Sequence, residues 1–150
     1  MRACYERVWR DELSVEHDAS GLRAESNVLR HRPVGRVVAR HDGRQDEALA
    51  RLRLAAAVTG VPLVESDARA VDEDELVASL RTDDRVRLLA EPGEALLRAL
   101  VESAVWFDTS PPLAHGRVEL LKWVREQSVS TTLHRHGRLP TGDHGATPTA

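Results

Sequence analysis

The sequence predicts an α/β fold: an open, mainly parallel sheet with helices on both faces. Three observations predict it. Short, largely β-branched runs begin at Val34, Val61, Arg85 and Val105. They lack clear polar alternation and are separated by helical segments of about ten residues, the arrangement that lays a crossover helix over a parallel pair. Leu, Val and Phe number 19, 17 and 1 with no Ile, so 37 of 150 residues are strongly apolar, enough for one packed core.

Each element has its own justification. Residues 1–33 read as an N-terminal arm of short helix and loop, because Tyr5, Val8 and Trp9 fall at helical spacing before DASGLRAESN breaks the pattern. Tyr5, Trp9 and Leu13 have no obvious partner within the chain, and unpaired apolar surface favours association. Val34 to Ala39 reads as the first strand, closed by a turn at Asp42 and Gly43. Leu49, Leu52 and Ala56 then mark a helix over 46–58, with Gly60 placed as a left-handed C-cap.

VPLVES is the second strand, and Asp72 with Glu75 has capping-box spacing ahead of a helix that buries Leu76, Val77 and Leu80. Arg85 to Leu89 is the third strand. Gly93 to Ser103 is a helix with Leu96, Leu97, Leu100 and Val101 facing inward, and Val105 to Phe107 is a fourth strand. Val118, Leu121 and Val124 suggest a last helix across GRVELLKWVRE. SVSTTLHRH follows with the period of a strand that has two different faces. The α/β domain spans 34–139, and the Pro-, Gly- and Thr-rich stretch 140–150 is expected to be disordered.

Composition narrows the function. A net charge of −3, with 21 basic against 24 acidic residues, argues against a dedicated nucleic-acid binder. No run approaches the roughly 18 apolar residues of a membrane span, and MRACYERVWRDE lacks the apolar centre of a secretory signal. The expected compartment is the cytoplasm. The single cysteine, Cys4, excludes an internal disulfide and reads as a small apolar residue of a terminal helix.

Candidate chemistry is sparse. HDGRQDEAL after the first strand carries one glycine where a dinucleotide fingerprint needs three, and Asp42, Asp46 and Glu47 would repel a pyrophosphate. The acidic run Asp72 to Glu75 suits a helix N-terminus better than a hard cation. His134 and His136 would share a strand face, with no third metal ligand evident nearby. Arg30, His31, Arg32, Arg36, Arg40, His41 and Arg44 could form a phosphate stripe, but the neighbouring carboxylates cancel much of its field. REQSVSTTLHRHG places paired charges and hydroxyls on an alternating strand, an edge that invites pairing with another chain.

Two segments resemble the bifunctional proline utilization A flavoenzymes, which join a proline dehydrogenase to an L-glutamate γ-semialdehyde dehydrogenase. HDASGLRAESNVLRHRPVGRVV is similar to the passage leading from the catalytic aldehyde dehydrogenase module into the C-terminal region. GRVELLKWVREQSVSTTLHRHG, residues 116–137, resembles the tail motif, and the resemblance covers roughly 15–139. It implies an aldehyde-dehydrogenase-like, Rossmann-type fold without catalytic residues, in which Glu119, Arg125, Glu126, Ser128, Val129 and Ser130 contact the catalytic module. TLHRHGRLP departs from the alanine- and glycine-rich continuation of some members.

The resemblance further implies that NAD and FAD belong to a parent enzyme and that this chain alone binds no cofactor or metal. The parent converts proline to glutamate through the semialdehyde, and this chain covers or scaffolds its dehydrogenase module, as a separate piece or a truncated reading frame. A homo-oligomer is also open. A free-standing α/β interaction module and, less favoured, a small nucleotide-binding protein are the alternatives.

Overall fold

Val37, Val38 and Ala39 are consecutive, nearly inaccessible and point alternately into two separate apolar clusters, which is possible only in a strand covered on both faces. The computed structural model describes residues 1–133. In chain order its elements are α1 (Arg2–Val8) continuing into a π-helical turn (Trp9–Leu13), β1 (Glu25–Pro33), β2 (Arg36–His41), α2 (Asp46–Thr59), β3 (Leu63–Asp67), α3 (Glu73–Ser79), β4 (Asp84–Leu88), α4 (Glu94–Glu102), β5 (Trp106–Asp108), α5 (Gly116–Leu120), a 3-10 turn (Leu121–Trp123) and β6 (Val124–Thr132).

Strands β2 to β5 form one parallel sheet in the order β3-β2-β4-β5. Tyr5, Val8, Leu13, Leu49, Leu52, Leu120 and Trp123 pack on one face from α1, its π-helical turn, α2, α5 and the 3-10 turn. Leu76, Leu96 and Leu100 cover the other from α3 and α4. This is the predicted open α/β sheet. Gly60 ends α2 at φ 73°, in the left-handed region, and its N–H donates to the Ala56 carbonyl at 2.8 Å. Asp72 caps α3 by accepting from the Glu75 N–H at 2.7 Å. Among the described residues no helix is long and apolar enough to cross a membrane.

Four expectations are corrected. The arm is not helix followed by loop, because Glu25–Pro33 is the strand β1, paired antiparallel with β6. Its residues ESNVLRHRP lack alternation because neither face of the pair is fully buried, so no inside–outside pattern is imposed on them. Tyr5 and Leu13 are not unpartnered; both are buried in the chain's own core, with Trp9 against it.

Val101 was expected to face inward but is 66% exposed, since Leu96 and Leu100 already set the buried stripe of α4. The last helix is shorter than its pattern suggests. The 3-10 turn changes the period, so Leu120 and Trp123 are buried while Val118 is exposed, and Val124 already belongs to β6. The His134 and His136 pair and the 140–150 tail lie outside the described residues.

Helices α1 and α5 touch backbone to backbone at Gly116, where an added Cβ would stand 3.0 Å from the Cys4 carbonyl oxygen and 3.1 Å from the Tyr5 Cα. Gly116→Ala is therefore expected to cost about 1–3 kcal/mol in urea unfolding through overpacking. Val118→Ala, on the exposed side of the same helix, should stay within about 0.5 kcal/mol of the parent.

Candidate docking site: the β1–β6 ribbon and its buried root

Strands β1 and β6 form a ribbon separate from the parallel sheet, with nine residue pairs from Glu25↔Thr132 to Pro33↔Val124. Which backbone groups face outward follows from the hydrogen bonds. Leu29 exchanges both its bonds with His17, at 2.8 and 2.9 Å, so its N–H and C=O point away from β6. Ser128 sits opposite Leu29 and must likewise turn its own groups away from β1. By alternation Glu126 and Ser130 do the same. The odd residues face inward, as the Leu133 N–H shows by donating to Ala24 at 2.9 Å.

The two edges are treated differently. On β1 the His17 bridge covers Leu29, and the Asp18 carboxylate accepts from the Asn27 N–H at 2.9 Å. On β6 the outward groups of Glu126, Ser128 and Ser130 have no partner among the described residues. A long open edge beside a blocked one is a template for another strand.

Side chains tune this ribbon without closing the edge. Val28 faces Val129, Arg30 donates to the Gln127 side chain at 2.7 Å and pairs with Glu16 at 3.0 Å, and His31 lies 3.8 Å from Glu126. The His31 Nδ1 is buried with no hydrogen-bond partner among the described residues. Arg32 and Arg125 stand directly opposite, a like-charge pair relieved by Glu16 and Asp83 at 3.8 and 3.6 Å.

Of the six residues expected to contact a partner, Arg125, Glu126, Ser128 and Ser130 are exposed on β6 and Val129 is half-buried there. Glu119 lies elsewhere, fully buried on α5. It is ion-paired with Arg87, which is 1% exposed, accepts from the Leu113 N–H at 2.9 Å, and accepts from the Trp123 indole at 3.3 Å. Arg87 also donates to the Ser110 carbonyl at 3.2 Å and lies 3.4 Å from Asp108, which Lys122 reaches at 2.6 Å.

Sequence reasoning missed this network. The available signal, passed over where this run was grouped with strands lacking polar alternation, was Arg85 and Arg87 alternating with Val86 and Leu88 along a strand buried on both faces, which requires polar partners across one face.

Other candidates dissolve into local structure. Arg30, Arg36 and Arg44 pair with Glu16, Asp84 and Asp42, and Arg40 is buried beside Ser66, so no continuous basic stripe forms. Cys4 sits half-buried at the α1–α5 contact, its Sγ accepting from the Gly116 N–H at 3.4 Å. Among the described residues no group of three His, Cys, Asp or Glu side chains converges as a metal site.

Fold and ribbon together define a doubly covered α/β domain that carries an antiparallel β-ribbon arm. Neither a protein-family model nor a curated protein matches the chain. A solved structure does: proline utilization A (PutA) from Corynebacterium freiburgense is 34% identical, with a TM-score of 0.73 over 89% of this chain. The chain is thus related to the proline utilization A family, and it spans 13% of that protein's length.

Two outcomes follow from the buried network. Tyr5 is the only tyrosine; it donates to the Leu113 carbonyl, and burial, with the Glu119 carboxylate nearby, pushes its hydroxyl from 10.0 up to about 12. Because the folded state holds this proton more tightly, its contribution is intact below pH 10.0 and is lost as pH rises toward about 12. Tyrosinate absorbance should therefore rise near 12 in the folded chain and near 10 in denaturant, and Tyr5→Phe should flatten the loss of stability across that window. Glu119→Gln removes the nearer of the two carboxylates beside Arg87, leaving Asp108 at 3.4 Å, and should cost about 3 kcal/mol in urea unfolding, whereas Glu119→Leu with Arg87→Met should recover only part of it, because the Leu113 N–H and the Trp123 indole lose their acceptor.

Proposed function

We propose that this chain is the non-catalytic C-terminal portion of a proline-utilization-A-type enzyme, which takes proline to glutamate through L-glutamate γ-semialdehyde. Its work is to dock on the aldehyde dehydrogenase module and cover the passage of the intermediate. The open β6 edge beside a blocked β1 edge carries this reading. A strand of the module adds to β6 through the main-chain groups of Glu126, Ser128 and Ser130, which supply affinity largely independent of side chains. Arg125 and the hydroxyls of Ser128 and Ser130 then surround the added strand with polar contacts.

The likeness to the Corynebacterium freiburgense protein supports the family context. On this reading FAD and NAD are held by other modules of the parent enzyme. The contribution of this chain is exclusion of water from the intermediate's path and rigid attachment of neighbouring modules.

The test uses a proline utilization A protein truncated before the matching region, mixed with this chain and followed by size-exclusion chromatography. Co-elution one to one is expected. Ser128→Pro removes only an outward N–H, so β1–β6 pairing survives while docking weakens about tenfold or more. Val129→Pro removes an inward N–H and should damage the ribbon itself. Failure of the parent chain to co-elute, or its elution as a stable homodimer indifferent to the truncated enzyme, contradicts the proposal.

A further inference from the structure

The two strands of the ribbon leave the body at one place, and the side chain there is Arg85. It comes from β4, in register with Val37 on one side and Trp106 on the other. Its Nη2 donates to the Val124 carbonyl at 2.7 Å and its Nη1 to the Leu121 carbonyl at 3.2 Å. Val124 is the first residue of β6 and Leu121 opens the 3-10 turn before it. The guanidinium carbon lies 4.9 Å from the centre of the Trp106 ring.

Arg85 has no carboxylate partner among the described residues, so its charge is held by two carbonyl dipoles and an aromatic face. A planar fork can hold two carbonyls from different turns at a fixed angle; an ammonium on a flexible stem cannot. Other ties at the root add to the buried packing of Val34, Trp123 and Val124. The Val34 N–H donates to the Trp123 carbonyl at 3.1 Å, and Asp83 reaches the exposed Arg125 at 3.6 Å.

We propose that Arg85 is the positioning residue of the ribbon: its guanidinium sets the angle at which β1 and β6 leave the parallel sheet, and so the direction in which the open β6 edge points. The consequence for docking rests on the function proposed above, whereas the effect on ribbon geometry does not.

The test is residue-resolved amide exchange on the full chain with Arg85→Met and Arg85→Lys, beside titration with the truncated enzyme. In Arg85→Met the inward amides of Arg125 and Gln127 and the amide of Val34 should exchange about tenfold faster, while those of β2 and α4 stay within about threefold of the parent. Affinity for the truncated enzyme should fall about tenfold, with Arg85→Lys recovering part through a single carbonyl.

Unchanged ribbon exchange, or a uniform rise across ribbon and body, overturns the proposal, the second because it marks a purely structural role. If the parent chain does not bind the truncated enzyme, the docking function fails, and the exchange pattern still decides whether Arg85 sets the ribbon.

Discussion

A buried ion pair organises the half of the molecule that leads to the ribbon. Arg87 on the central strand β4 and Glu119 on α5 are both essentially inaccessible. A lone charge at such depth would cost several kcal/mol, so α5 is held where its carboxylate meets the guanidinium. Once Glu119 is fixed, its second oxygen fastens the loop at Leu113 and its first accepts from the Trp123 indole, which seats the largest side chain of the core. The net energy of the pair is small beside the cost of breaking it. Slipping α5 by one residue would take Glu119 from Arg87, Leu113 and Trp123 at once and leave the Arg87 guanidinium with Asp108 as its remaining carboxylate among the described residues.

From that point the chain has little freedom. Trp123 is followed immediately by β6, so the placement of one indole fixes where the ribbon begins. The ribbon then draws on residues about a hundred positions apart, Val28 with Val129 and Arg30 with Gln127, and closes the N-terminal arm onto the far end of the domain. The proposed function rests on the asymmetry of its edges. An isolated two-stranded ribbon is marginal in water, and here one edge is covered by the chain's own residues while the other has no backbone partner among the described residues, which on the proposed function receives a third strand.

The parallel body was legible in the sequence because every buried element prints its period on the residues. Gly60 needs a left-handed conformation, Asp72 caps a helix, and Leu96 with Leu100 marks a face. The ribbon printed nothing comparable on β1. With both faces partly wet, its register rests on main-chain bonds and on cross-strand pairs that a local window cannot see. β6 was half legible: its alternation from Val129 to Leu133 was visible, but its start at Val124 was hidden inside an apparent helical stripe. Glu119 entered only through the resemblance, and its burial was hidden because its partner, Arg87, lies on a distant strand. The tail contacts drawn by resemblance fall on β6 for five of the six residues, and Glu119, the sixth, anchors the root from inside.

On the proposed function, alternate residues of β6, whose outward backbone groups have no partner among the described residues, receive a partner strand. Residue-by-residue amide exchange of the chain, alone and saturated with the truncated proline utilization A enzyme, measures that edge directly. Fast exchange is expected at Glu126, Ser128 and Ser130 in the free chain, slow exchange at the same three amides in the mixture, and slow exchange at Arg125, Gln127 and Val129 in both. Protection of the first three in the free monomer, or its absence in the complex, would contradict the proposal.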